Sequence, residues 1–189
     1  RPPVEVQVET PEGALTGVVD SLFESGQVHY GYGRVKGRRR LRLWLRHLSL
    51  CAAGSAGPSF LIARGSPQVF IARHPALAPE QAAQMLGALI ALFRAGVERP
   101  LPFVPEASFA YAERRLRLGN AAQAHEKALE TPKSAYLDRY NFGESQDEYV
   151  QLAFPGEGIF AESSPSTPGF TELAWAVFAP MLDHTEVGA

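Results

Sequence analysis

The chain has 189 residues, a length that favours one domain, and its hydrophobic fraction of 46% is enough for a buried core. It contains no apolar run long enough to cross a membrane, and its single cysteine, Cys51, excludes an internal disulfide; both features favour a cytoplasmic protein. The net charge of −2 hides an asymmetry, because residues 1–140 carry all 18 Lys and Arg against 12 acids, whereas residues 141–189 carry eight acids and neither Lys nor Arg.

The first 35 residues predict a three-stranded antiparallel meander. Apolar and polar residues alternate in the first segment, as in a half-buried strand, and turn residues separate it from two further segments. The predicted strands are Val4–Glu9, Leu15–Phe23 and Gln27–Val35, with turns at 11–13 and 24–26. Because the chain opens at Arg1 rather than Met, just before the first strand, we expect a fragment of a longer protein.

A helix with two distinct faces follows and ends near Gly54. Apolar residues at helical spacing predict its core stripe: Leu41, Trp44, Leu45, Leu48 and Ala52. The densest basic stretch of the chain overlaps this helix, and we call it the basic run: Arg34, Lys36, Arg38, Arg39, Arg40, Arg42 and Arg46. Within it, Arg38, Arg42 and Arg46 are four residues apart and therefore share one face of the helix.

Two short strands and a series of helices complete the predicted order. The strands are 60–63 and 69–72, and the helices begin at Pro79 and then span 106–118, 121–138, 146–154 and 168–184. A capping box from Ser145 to Glu148 predicts one helix start, and the composition of Pro155–Gly169 predicts a mobile loop. The order favours a single α/β domain over residues 1–189, with a mixed sheet and flanking helices in 1–98 and a mainly helical extension in 106–189.

The same order fits the core of the PD-(D/E)XK (restriction-endonuclease-like) nucleases. Their chemistry needs carboxylates that converge on Mg²⁺, usually an Asp after the second strand and Asp/Glu-x-Lys on the third. Asp20 fills the first position, but the third strand has no acid, and Tyr30 and Tyr32 stand where the second acid and the lysine belong. We therefore predict a catalytically inactive fold without a metal, in which Asp20 is a turn residue or an ion-pair partner.

No other pattern predicts catalysis or a cofactor. Gly31–Gly37 approximates a dinucleotide-binding loop, but Ala52 and its neighbours stand where the required acid is expected. The five histidines have no ligand spacing on one element, so no zinc site is predicted. We interpret His47 and Cys51 as packed core residues, because a nucleophile needs a positioned base.

The residues alone leave two interpretations of the basic run open. It can contact a phosphate backbone, with nearby tyrosines stacking on exposed bases. The candidate DNA-binding residues are Arg34, Lys36, Arg38, Arg39, Arg42, Arg46, Tyr30 and Tyr32. Alternatively, it is a solvated face or an anchor for an acidic partner surface, and the acidic residues 141–189 are one such surface.

Several blocks in order along nearly the whole chain point to a family. The longest is 37–53, which contains Leu-x-x-Trp-Leu-x-His-Leu. The others are Gly17–Asp20, Pro79–Ala83, Pro100–Phe103, Pro105–Tyr111, Phe142–Asp147 and Leu152–Phe154. Together they resemble the C-terminal domain of RecC, the gamma subunit of exodeoxyribonuclease V (RecBCD).

This resemblance implies a PD-(D/E)XK fold that has lost its catalytic residues, in agreement with the third strand. It implies RecB and RecD as partner subunits, and double-stranded DNA ends and unwound single strands as nucleic-acid ligands. It further implies a part in strand separation, strand guidance and subunit assembly during double-strand-break repair by homologous recombination. The domain itself would be neither an enzyme nor a cofactor carrier, whereas the holoenzyme is an ATP-dependent helicase and nuclease.

Two other functions remain possible on the sequence. In one, the chain is an active nuclease in which Glu80 or Glu113, from a later helix, joins Asp20 at the metal. In the other, it is a pure protein-interaction module whose basic helix faces an acidic subunit surface.

Overall fold

The computed structural model describes residues 1–55, 57–65, 68–119, 124–138, 143–161, 163 and 167–188. The strands are β1 (Val4–Thr10), β2 (Gly13–Val19), β3 (Leu22–Phe23), β4 (Gly26–Arg34), β5 (Ser59–Arg64), β6 (Val69–His74) and β7 (Glu186–Gly188). The α-helices are α1 (Gly37–Ala52), α2 (Pro79–Glu98), α3 (Pro105–Leu118), α4 (Ala124–Leu137), α5 (Glu148–Ala153) and α6 (Phe170–Asp183). The predicted α/β class with a mixed sheet is confirmed.

The chain forms two compact units, one of residues 1–94 with 183–189 and one of residues 95–182. The first contains both β-sheets, which are a two-stranded sheet of β1 and β2 and a five-stranded sheet in the order β3-β4-β5-β6-β7. Within the larger sheet β4 and β5 run parallel, and the other neighbouring strands are antiparallel.

The predicted three-stranded meander is wrong. The segment expected to be one strand, 15–23, breaks after Val19, and Ser21 takes a left-handed backbone conformation with φ of 60°. The chain therefore changes direction, so that β2 pairs along its whole length with β1 while the short β3 forms a separate hairpin with β4. The second predicted strand is thus divided between two sheets.

The buried side of α1 is wider than the predicted stripe. Trp44 and Leu48 are buried as expected, but Leu45 is 39% exposed. The other buried side chains of the helix include Leu43, His47, Leu50 and Cys51. Two surfaces account for this width, because Leu43 packs on the five-stranded sheet and Leu50 packs on the β1–β2 hairpin. The helix ends as predicted at Gly54, which has a positive φ of 79° and donates its N–H to the carbonyl of Cys51.

Helix α2 buries only part of its apolar side. Ala82 and Leu86 are buried, whereas Phe93, which helical spacing places on the same side, is 72% exposed. The apolar side of this helix is therefore longer than the core that it covers.

The second unit has a helical core of its own. It is built from buried residues that include Tyr111 and Ala107 of α3, Tyr136 of α4 and Phe170 of α6. Part of Pro155–Gly169 contributes as well: a 3-10 helix over Gly158–Phe160 buries Ile159, and Phe160 packs edge-on against Phe170. The rest of this predicted loop includes residues that the structure does not describe. The first three residues of the helix predicted over 121–138 also lie outside the described residues.

The predicted capping box is wrong. Ser145 lies inside a 3-10 helix over Glu144–Gln146, and α5 begins two residues later than predicted. Its N-cap is Asp147, whose Oδ1 accepts hydrogen bonds from the N–H groups of Tyr149 (3.0 Å) and Val150 (3.2 Å). A carboxylate is as good a cap as a hydroxyl, so the sequence pattern allowed either position.

In the portion of the chain that the structure describes, none of the helices combines the length and the apolar character that a bilayer crossing requires.

Candidate nucleic-acid interface

Asp20 is an ion-pair partner, one of the two roles predicted for it. It follows β2, and its Oδ1 accepts a hydrogen bond from Nη1 of Arg46 on α1 at 2.7 Å. The same Nη1 lies 3.0 Å from Nε2 of His29 on β4. Burial, and then the Arg46 guanidinium, lowers the pKa of His29, which favours the neutral ring that accepts this hydrogen bond.

A guanidinium group therefore lies directly against the carboxylate of Asp20. Among the described residues, no group of three or more His, Cys, Asp and Glu side chains is arranged to hold a metal ion. Of the two alternative acids, Glu113 pairs with Arg117 within α3 at 3.2 Å, and Glu80 lies in the first turn of α2. The arrangement at Asp20 links the end of β2 to β4 and to α1.

The basic run divides into an exposed part and a part held against the protein. Arg39 places its guanidinium directly against Gly31 of β4, where a side-chain Cβ would collide with it. Arg40 lies over the ring of Phe70, 4.6 Å from the centroid. The members with exposed side chains are Arg34, Lys36, Arg38 and Arg42. Of the predicted helix face, Arg38 and Arg42 thus face solvent, whereas Arg46 is bound to Asp20.

Tyr30 and Tyr32 lie on the other face of the five-stranded sheet from α1. Residues that contact α1, such as His29 and Gly31, alternate with the two tyrosines along β4. The tyrosines are 75% and 87% exposed. They line a groove of 560 Å³ together with Ile62 and Arg64 of β5 and Val69 of β6, among others. The sheet therefore separates the tyrosines from Arg38 and Arg42.

Arg64 is a candidate that the sequence analysis did not identify. Its guanidinium carbon lies 5.7 Å from the centroid of the Tyr32 ring, and the strand register places Arg64 opposite Arg34. It is an isolated arginine in the sequence, outside the basic run, so only the parallel pairing of β4 with β5 brings it to this groove.

His47 and Cys51 are core residues, as predicted. His47 is fully buried, donates from Nε2 to the carbonyl of Pro75 at 3.0 Å and has Nδ1 2.9 Å from Oγ of Ser59. Burial raises the pKa of the Cys51 thiol, so the reactive thiolate is disfavoured.

Comparison with known proteins gives a consistent result. The family model described as the RecC C-terminal domain matches residues 1–116. The chain is 29% identical over 143 residues to the RecBCD enzyme subunit RecC of Escherichia coli (strain K12), which is 72% of this chain and 12% of that protein. It is 25% identical over 175 residues to the RecBCD enzyme subunit RecC of Buchnera aphidicola subsp. Schizaphis graminum (strain Sg), which is 90% of this chain and 16% of that protein.

The chain spans less than a fifth of the length of each of these relatives. The family match covers more than half of the chain and includes both sheets up to β6, the whole basic run and the groove with Tyr30 and Tyr32. This chain belongs to the RecC C-terminal domain family.

Proposed function

We propose that this chain is a non-catalytic, DNA-handling domain of a RecC subunit, with an inactive PD-(D/E)XK fold. In this proposal it helps to separate and guide DNA strands and to assemble the subunit with RecB and RecD during double-strand-break repair by homologous recombination. The relatives are named as subunits of the RecBCD enzyme, which supports a role within such a complex. No cofactor is proposed for the domain itself.

The observation that carries the non-catalytic half is the pairing of Asp20 with Arg46. A hard cation such as Mg²⁺ exchanges water only for several well-placed oxygen ligands. Asp20 offers one carboxylate, which already accepts a hydrogen bond from a guanidinium at 2.7 Å, and β4 offers no acid. Installing a metal there would require breaking the ion pair and adding ligands.

The distribution of charge supports the DNA-handling half. Arg34, Lys36, Arg38 and Arg42 are exposed within nine residues of sequence that contain no acid. Phosphate contacts of this kind supply most of the affinity of non-specific DNA binding and make it sensitive to salt.

The DNA-handling half is tested by fluorescence anisotropy of a labelled forked DNA, titrated with the chain over a series of salt concentrations. The informative variant is Arg38→Glu, Arg42→Glu; Arg46 is left unchanged because it holds Asp20. We expect weaker binding and a salt dependence reduced by roughly two phosphate contacts. The matched control, Arg99→Glu, Arg114→Glu, changes the net charge equally at exposed arginines elsewhere and should retain most of the affinity. Absence of binding at low salt would contradict this half of the proposal.

The non-catalytic half needs a separate assay. With Mg²⁺ or Mn²⁺ present, the purified chain should not cleave linear or forked DNA above the background of the preparation, and Asp20→Ala should leave that background unchanged. Metal-dependent cleavage that Asp20→Ala abolishes would instead establish an active nuclease with migrated ligands.

Exposed apolar side chains support the assembly function. Phe93 is 72% exposed on α2, and Tyr149 and Leu152 on α5 are 83% and 82% exposed. Tyr149 and Leu152 are three residues apart and therefore neighbours on one face of α5, and contiguous exposed apolar groups of this kind occur at protein interfaces. They also support the alternative of a pure protein-interaction module, against which DNA affinity of the isolated chain would count.

A further inference from the structure

We infer that the groove on the open face of the five-stranded sheet binds unpaired nucleotides, with Tyr30 and Tyr32 stacking on bases and Arg34 and Arg64 contacting phosphates. The inference rests on the proposed DNA-handling function and assigns it a second surface, on the opposite side of the sheet from α1. The proposed ligand of this groove is single-stranded DNA rather than a duplex.

The register of the sheet builds this surface. Tyr30 pairs with Ile62, and Ile62 pairs in turn with Ile71, so one face carries a row of aromatic and aliphatic side chains across three strands. Arg34 pairs with Arg64, which pairs with Val69, and this forms a second row at the end of the face. The alternate residues Leu61 and Ala72 are buried against Leu43 of α1. The groove face is therefore the side of the sheet that α1 leaves open.

The exposure of the two tyrosines is unusual for side chains of their size. Large aromatic groups contribute most to stability when they are buried, yet Tyr30 and Tyr32 are 75% and 87% exposed beside an apolar groove floor. Rings presented in this way offer their faces to a flat partner. Stacking of a base on such a ring contributes roughly 1–3 kcal/mol and tolerates any base, because every base has a π face.

The charges around the groove select an anionic ligand. Arg34 and Arg64 are neighbours in the register of parallel strands, an arrangement of like charges that disfavours the pair by itself. The described residues that line the groove include no acid. A phosphate placed between the two guanidinium groups would relieve their repulsion and accept hydrogen bonds from both.

The need for a free base face favours an unpaired strand. Within a duplex, the faces of each base are covered by neighbouring bases, so a tyrosine of the groove cannot stack on a base without unstacking the helix. In an unpaired strand, successive bases are free to lie on aromatic side chains.

The test compares three labelled ligands by anisotropy: an oligothymidylate, an abasic strand of the same length, and a duplex. The abasic strand has the same phosphates without bases, so it separates stacking from charge. Tyr30→Ala, Tyr32→Ala should weaken binding of the oligothymidylate by about tenfold or more and leave binding of the abasic strand unchanged. The matched control, Tyr30→Phe, Tyr32→Phe, keeps both rings and should bind as the original chain does. Arg64→Gln should weaken binding of both single strands and lower the salt dependence by about one contact.

A second measurement needs no substitution. Photocrosslinking of a single strand that contains 5-bromodeoxyuridine, followed by peptide mapping, should place crosslinks on Tyr30 or Tyr32. Crosslinks confined to other segments, or an alanine variant that binds the oligothymidylate normally, would overturn the inference while leaving DNA binding through α1 intact. Failure of the unaltered chain to bind any of the three ligands would overturn the inference and the DNA-handling proposal together.

Discussion

The buried histidines of the first unit are held neutral by their surroundings. His47 and His74 are 0% and 2% exposed, and their rings lie beside each other and beside Trp44. Nδ1 of His74 donates to the carbonyl of His184 at 3.2 Å. Burial, the largest cause for both, lowers the pKa of each from 6.5 to about 4. Protonating either ring in this apolar environment costs more free energy than protonating it in the unfolded chain, where water surrounds the ring.

The free energy of unfolding should therefore fall as the pH decreases from 6.5 toward 4. Over this range the unfolded chain has taken up protons at both histidines and the folded chain has not, and the state that binds more protons gains stability on acidification. Each histidine contributes a loss of up to about 3 kcal/mol, complete only near the lower pKa. Urea unfolding measured between about pH 7.5 and pH 5 checks this.

The control for this experiment is His74→Asn, whose amide N–H can still donate to the carbonyl of His184 but does not titrate. Its unfolding free energy should vary less with pH than that of the original chain. Equal slopes for the two proteins would show that His74 does not contribute to the acid sensitivity.

Helix α3 begins without a capping side chain of its own. Its N-cap residue is Val104, which has no side-chain acceptor. The carboxylate of Glu144 caps the helix instead. One of its oxygens accepts a hydrogen bond from the N–H of Glu106, 38 residues away in the sequence, and the other from the N–H of Ala107, 37 residues away, both at 2.9 Å. The negative charge also lies favourably at the positive end of the helix dipole.

Glu144→Ala should destabilise the second unit by about 2 kcal/mol, because it leaves two part-buried N–H groups without their charged acceptor. The melting temperature and amide hydrogen exchange at residues 106 and 107 report the effect. Glu148→Ala, which removes an exposed carboxylate from the first turn of α5, provides the control and should change stability much less. A Glu144→Ala protein as stable as the control would contradict the capping role.

Two substitutions near the start of α5 test which residue caps this helix. Asp147→Ala removes the acceptor for the N–H groups of Tyr149 and Val150 and should cost about 1 kcal/mol. Ser145→Ala should be nearly neutral, because Ser145 lies in the preceding 3-10 helix. Faster hydrogen exchange at residues 149 and 150 is expected only in the Asp147 variant. The reverse order of effects would restore the capping box that the sequence predicted.

The end of the chain returns to the five-stranded sheet and completes the first unit. β7 adds an edge strand to β6, Arg73 forms an ion pair with Glu186, and His184 supplies the carbonyl that His74 contacts. Residues separated by more than 100 positions thus meet on one side of the sheet. The final helix is followed by a strand, which the helical pattern of the preceding segment did not predict.

Truncation after Asp183 should destabilise the first unit by about 1–3 kcal/mol, because the edge of β6 and the His74 ring lose their cover. The pKa of His74 should then move from about 4 toward its ordinary value, which an NMR titration of the ring would detect. Glu186→Gln is the control: it removes only an ion pair with largely exposed side chains and should cost less than about 1 kcal/mol. An unchanged pKa of His74 in the truncated chain would contradict this account.

Local patterns in the sequence were sufficient for most elements of the fold. Alternation of period two predicted β1, short apolar runs separated by turn residues predicted β5 and β6, and helical spacing predicted α1 and α2, since these patterns arise from the geometry of the element itself. The same reasoning identified the absence of acids from the third predicted strand and the charge asymmetry of the chain. For Asp20 the sequence left two roles open, a turn residue or an ion-pair partner, and the structure shows the ion pair with Arg46.

Tertiary structure decided which residues meet, because pairing across long stretches of sequence depends on packing rather than on local periodicity. The break at Ser21 assigned the first strands to two different sheets and made the meander prediction wrong. Arg46, a predicted DNA-binding residue, is paired with Asp20, which is 26 residues away in the sequence. The parallel pairing of β4 with β5 brought Arg64 to the tyrosines and set them on the opposite side of the sheet from the basic helix, an arrangement that no local pattern contains.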